Sequence, residues 1–263
     1  MPVAPLALPA GECHVWWARA GAATLASAWL LDGDELARAE RFRAGHDRLR
    51  YVAAHALARL VVGRYLAHHP ATLRFAARCT TCGGSHGKPH LADQGSDLQL
   101  SISHSGDRVV IAVARGVAVG VDVEQVHGFA AEDALADAVL SPLERGVVEA
   151  LPVAARTAAL LRYWVRKEAV LKATGHGLAV SPASLTVSAP DQPARLLAWA
   201  PPSGLAVPVL LHDLAPGPAF VGCVALLTVV VHRVVEREGS ALLTLGGDGG
   251  QRWPTMLGSP NKS

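Results

Sequence analysis

The 263 residues hold 24 lysines and arginines against 22 acids, a net charge of +2, and 51% of them are hydrophobic. That apolar content excludes a disordered chain and suffices for one large domain or two smaller ones with real cores. The near-neutral balance offers no broad basic surface for nucleic acid, and four irregularly placed cysteines do not make a disulfide framework.

The opening MPVAPLALPAGE has no basic segment and is broken by three prolines, so it does not read as a signal peptide. Residues 34–66 carry apolar side chains at helical spacing, with Asp34 and Glu35 near the start. A loop-rich connector follows over 70–95. Two short β-type runs come next, Leu98 to Ser103 and Val109 to Ala114, separated by His-Ser-Gly-Asp. Directly after them, GVAVGVDVEQV (116–126) places Val117, Val119, Val121 and Val123 on one strand face and Gly120, Asp122 and Glu124 on the other. A second helical block runs from about Ser141 to Thr174, stopped by Gly-His-Gly. β-like runs separated by Pro/Gly turns occupy 183–231. The longest uncharged apolar stretch, Phe220 to Val231, is too short to span a bilayer. This divides the chain into halves 1–115 and 116–231, each passing from a helical block into β structure, and a flexible tail, 232–263. The whole reads as a cytoplasmic protein without a membrane segment.

Four constellations carry chemistry. Asp122 and Glu124, side by side on one strand face, suit a hard cation such as Mg2+, with Gly120 clearing room for a bulky ligand group; a solvated edge strand is the plain alternative. In YWVRKEAVLKATGHGL (163–178), Trp164, Glu168 and Lys172 fall on one helical stripe. The plain alternative there is a surface Glu-Lys pair. In SISHSG, His104 stands between serines at a turn, a setting for phosphate as well as for an ordinary hairpin. Cys79-Thr-Thr-Cys82 followed by His86 and His90 invites zinc, but a second cysteine pair is missing. Three of the four lysines in this arginine-rich chain, Lys88, Lys167 and Lys172, lie in such segments, where a compact ammonium is wanted. No GxSxG elbow and no GxxxxGK[ST] loop is present, which removes hydrolase and P-loop readings.

Together and in this order, GKP (87–89), SISHSG (101–106), GVDVE (120–124) and WVRKEAVLKATGHGL (164–178) resemble the Sfp-type 4'-phosphopantetheinyl transferases, over about residues 12–231. The resemblance implies an α+β fold of two pseudo-symmetric halves with the active site at their interface, in a monomer. It implies an enzyme that moves the 4'-phosphopantetheine arm of coenzyme A to a serine of an apo acyl or peptidyl carrier protein and releases 3',5'-ADP. The carrier could serve fatty-acid, polyketide or nonribosomal-peptide synthesis. By the same resemblance Asp122, Glu124 and Glu168 hold Mg2+, and the valines opposite bury against helices. Glu168 accepts the serine proton, directly or through water, and Lys172 meets the departing phosphate. Ser103, His104, Arg50 and Arg38 contact the adenosine 3'-phosphate, while Gly87, Lys88 and Pro89 frame the adenine. One position where the family has a base is Glu35 here, and the Cys-x-x-Cys insert lies outside the pattern. The rivals are a coenzyme A- or carrier-binding module without catalysis and another Mg2+-dependent nucleotide enzyme.

Overall fold

The computed structural model describes residues 6–23, 25–77, 83–84, 87–92, 95–128, 132–199, 208–230 and 232–246. In chain order the elements are β1 (Glu12–Arg19), α1 (Gly33–Ala39), α2 (Gly45–Leu66), β2 (Phe75–Ala76), β3 (His90–Leu91), β4 (Leu98–Ser105), β5 (Arg108–Arg115) and β6 (Val119–Gln125). Then follow α3 (Glu132–Val139), α4 (Pro142–Ala150), α5 (Val153–Thr174), β7 (Leu185–Val187), β8 (Leu196–Trp199), β9 (Val209–Leu214), β10 (Phe220–Leu227), β11 (Arg233–Glu238) and α6 (Ser240–Gly246).

Two sheets carry the molecule. The first has the order β11-β1-β5-β4 and the second β6-β10-β9, antiparallel except where β11 runs parallel to β1. Each sheet is backed by one 22-residue helix, α2 on the first and α5 on the second. The likeness of the two halves is thus one of architecture. A third apolar cluster fills the space between the sheets: Val15, Trp17, Val110 and Ala112 from the first meet Val119, Val121, Val123 and Val224 from the second. The layers therefore run helix, sheet, sheet, helix. The valine face of β6 packs on the opposing sheet and not on helices, because α5 covers the other face of that strand.

The helical blocks are interrupted where local chemistry ends a helix. Residues 34–66 make two helices with a break at 40–44, and Phe42 folds back so that its ring lies 5.4 Å from that of Tyr51. The second block breaks at Leu151-Pro152, since a proline in a continuous helix would lack its N–H and clash with the preceding turn. Before that break, Glu144 Oε2 accepts from Ser141 N at 2.7 Å and caps α4. Lys167 of α5 is fully buried and donates to Val139 O at 2.6 Å as well as pairing with Glu144. That ammonium fastens α5 to the ends of α3 and α4. The neighbouring Arg166, equally buried, is paired with Asp213 and donates to carbonyls of Ser188, Ala189 and Gln192.

The chain from 232 is not a loose tail through 246. β11 joins the first sheet in register Glu12↔Arg233 to Trp17↔Glu238, and Leu243 of α6 is buried in the α2 core. Glu236 takes a hydrogen bond from Trp17 Nε1 at 2.6 Å and one from Ala215 N at 3.1 Å, touching both halves.

Candidate active site

The halves meet along β4 and β6. Strand alternation turns Ser101, Ser103 and Ser105 toward β6. Ser101 Oγ accepts from Val121 N at 3.0 Å, and Ser103 Oγ donates to Asp122 Oδ1 at 2.7 Å. Ser105 Oγ donates to Glu124 Oε2 at 2.6 Å and accepts from Gln125 N at 3.1 Å. Side chains stitch this seam, where a continuous sheet would have used backbone.

α5 lies on the Gly120, Asp122, Glu124 face. A Cβ on Gly120 would stand 2.0 Å from Ala169 O and 2.3 Å from Ala173 N, so helix backbone fills the space that the glycine clears. The room expected there for a ligand group is taken. This close approach carries the Trp164, Glu168, Lys172 stripe onto the strand. Lys172 Nζ donates to Asp122 Oδ1 at 2.7 Å, Ser103 Oγ at 3.0 Å and Val121 O at 3.2 Å. Its acid partner lies on β6, beneath the helix, and only Ser103 is across the seam, which removes the reading of a surface Glu-Lys helix pair.

Glu168 is buried, with 8% of its surface exposed. Burial first, then the charge of Asp122, pushes its carboxyl up to about 7 against the pull of Lys172, and Glu124 adds to the push. Glu124 is raised for the same two reasons, while Ser105 and Trp164 favour its charged form. Asp122 Oδ2 and Glu168 Oε1 are both buried without a hydrogen-bond partner. Orphaned carboxylate oxygens among like charges are what a hard divalent cation satisfies, so these residues fit such an ion. Among the described residues no three His, Cys, Asp or Glu side chains stand grouped as a finished metal site. Asp122 Oδ1 is instead held by Lys172 and Ser103, and Glu124 Oε2 by Ser105.

The first half adds cations. His104 follows Ser103 on β4, and desolvation of its ring, then the charge of Arg50, with Lys172 and His55 behind it, lowers it to about 4. A neutral imidazole among cations is a setting for an anion. Arg50 itself donates to Asp47 Oδ1 at 2.6 Å. Arg38, exposed in the last turn of α1, acts on Tyr51 and makes no hydrogen bond to a described site residue. The Gly87-Lys88-Pro89 turn is pinned by Gly87 N to Ala77 O at 2.6 Å. It reaches the second half through Lys88 Nζ, which donates to Ala173 O at 3.0 Å and is lowered to about 8 by burial.

Glu35 belongs to a different network. Its carboxylate accepts from Arg59 Nε at 2.7 Å and bonds His55 Nδ1 at 2.8 Å, while Asp32 takes Arg59 Nη2 at 2.6 Å. A base at 35 would face the fully buried Arg59, so the acid is dictated by the fold of this half. Cys79, Cys82 and His86 lie outside the described residues, and His90 is exposed in β3. Ser105 is the site residue that sequence reasoning passed over. Its signal was the two-residue spacing of serines in SISHS.

The family model of the 4'-phosphopantetheinyl transferase superfamily matches residues 118–210, from β6 through α5 into β9. The 4'-phosphopantetheinyl transferase HetI of Nostoc sp. is 34% identical over 168 residues, 63% of this chain and 68% of its own length. The Synechocystis protein slr0495 is 30% identical over 176 residues, 66% of this chain and 68% of its own length. The 4'-phosphopantetheinyl transferase AcpT of Salmonella typhi is 36% identical over 92 residues, 35% of this chain and 47% of its own length.

Proposed function

Because the chain belongs to the 4'-phosphopantetheinyl transferase superfamily and is a transferase, we propose that it is an Sfp-type member. It moves the 4'-phosphopantetheine arm of coenzyme A to a serine of an apo acyl or peptidyl carrier protein in a Mg2+-dependent reaction. The observation that carries this reading is Lys172 of α5 meeting Asp122 and Ser103 at the seam, with Glu168 buried beside them.

Asp122, Glu124 and Glu168 would hold Mg2+, which when bound draws charge from the pyrophosphate. The carrier serine oxygen forms a bond to the phosphorus bearing the pantetheine as the bond to the bridging oxygen breaks. The hydroxyl proton passes to Glu168, directly or through water. Lys172 neutralises the oxygen that leaves with 3',5'-ADP. His104, with Arg50 and Arg38 behind it, receives the adenosine 3'-phosphate, while Ser103, its proton given to Asp122, stays with the seam, and the Gly87-Lys88-Pro89 turn frames the adenine. The site is built within one chain, in keeping with a monomer. Among the described residues no helix is long and apolar enough to cross a membrane, and the reading places the protein in the cytoplasm.

Mass spectrometry of an apo carrier incubated with coenzyme A, Mg2+ and this protein tests the reading. A gain of one phosphopantetheine arm on the carrier is expected. Unchanged carrier beside bound coenzyme A would make the protein a binding module and overturn it.

A further inference from the structure

Resting on the transferase reading above, we propose that Ser105 is a positioning residue: from the first half of the molecule, its hydroxyl sets the carboxylate of Glu124 in the second half for cation binding. Ser105 is buried at the end of β4. A hydroxyl has one proton and two lone pairs. One lone pair accepts from Gln125 N at 3.1 Å, and the proton goes to Glu124 Oε2 at 2.6 Å. One of the two oxygens of Glu124 is thereby held.

The serine has no slack. Gly106 follows it at φ +54, and a Cβ there would lie 2.3 Å from Gln125 Oε1 and 3.1 Å from the Phe220 ring. The turn after β4 and the end of β6 are therefore seated against each other. One pleat earlier the arrangement repeats, with Ser103 Oγ on Asp122 Oδ1 at 2.7 Å. Both strands share the two-residue period, so two hydroxyls on β4 match two carboxylates on β6. Holding a carboxylate in one rotamer before a cation arrives moves the ordering entropy from binding to folding. Partners of this kind behind a metal ligand change metal affinity by about 10- to 100-fold when removed.

A merely structural Ser105 would seal the seam by satisfying Gln125 N. Its loss would then lower the melting temperature and leave cation affinity alone. Titration of the full chain with Mn2+ alone, followed by electron paramagnetic resonance of the free ion, separates the two roles. Ser105→Ala is expected to weaken Mn2+ binding about tenfold. Ser105→Thr, which keeps the hydroxyl, is expected to recover most of that loss. In transfer assays the Ala protein should need more Mg2+, with kcat at saturating Mg2+ changed less. Should the Ala protein not fold, Ser105→Cys, similar in shape with a weak donor, takes its place with the same expectation. Wild-type affinity in the folded Ala or Cys protein, whatever its melting temperature, overturns the role of Ser105 alone. Wild-type protein that fails to modify any apo carrier overturns the transferase reading itself.

Discussion

Gly120 of β6 and Ala169 of α5 are packed backbone to backbone, with a Cβ on the glycine falling 2.0 Å from the alanine carbonyl oxygen. The distance is far inside contact range, and the second obstacle, Ala173 N at 2.3 Å, is backbone as well. Gly120→Ala should push α5 off the strand and draw Glu168 and Lys172 away from Asp122. A displacement of about 1 Å at a reacting centre costs about 100-fold in rate. We expect a folded protein with transfer reduced at least that much, measured as kcat/KM on an apo carrier. Near-normal turnover would mean that the helix position does not matter.

Glu168 gives a pH signature. Its carboxyl is raised to about 7 by burial and by Asp122, above its ordinary 4.5. The native state therefore holds this proton more tightly than the unfolded chain does. The associated stability is present in full below pH 4.5 and is lost as pH climbs through 7. In a chelator, the wild-type melting temperature should fall between pH 5 and pH 8. Glu168→Gln should flatten that fall, stabilise the protein at pH 8 by about 2–3 kcal/mol and abolish transfer. A Gln variant with the wild-type pH profile would contradict the environment described for this acid.

His104 reports on the anion site. Desolvation and the charges of Arg50, Lys172 and His55 hold its imidazole at about 4. A bound phosphate cancels those charges and favours the imidazolium. Addition of 3',5'-ADP should raise the His104 pKa, read by NMR of the ring protons across a pH titration. An unmoved value would separate His104 from the nucleotide.

Glu35 separates structure from binding. Burial alone would raise its carboxyl, but the hydrogen bond and charge of His55, with Arg59 behind them, hold it below the usual range. Glu35→Lys sets a cation against a guanidinium with no exposure at all, and breaking a buried pair costs about 3–5 kcal/mol. Thermal melts should show that loss. Tighter coenzyme A binding by a stable Lys variant would instead restore position 35 to the phosphate site.

The site was more legible than the frame around it. Asp122 with Glu124, and Glu168 with Lys172, are set by the two-residue and four-residue periods, which survive folding unchanged. Gly120 was misread because a sequence does not say whether backbone or ligand fills the space beside a glycine. β1 gave no alternating pattern, since CHVWWA is buried on both faces, one against α2 and the other against the second sheet. The helix breaks at 40–44 and 151–152 lie inside continuous helical spacing, where tertiary packing and one proline decide. β11 (RVVERE) has two adjacent valines followed by three charges and no alternation at the edge of the first sheet, and only its partner on β1 makes it a strand.

That edge strand has a consequence for biosynthesis. Glu12 and Arg233 are paired neighbours although 221 positions separate them along the chain. The ribosome delivers β1, α2, β5 and β4 first, and the strand that flanks β1 only after the whole second half has been made. Until then the nascent first half carries a bare sheet edge and a core still waiting for Leu243. Pairing over so long a separation is slow, and the bare edge is open to other chains meanwhile. Dilution and low temperature should therefore improve the yield of native protein on expression or refolding, because they suppress encounters during that interval.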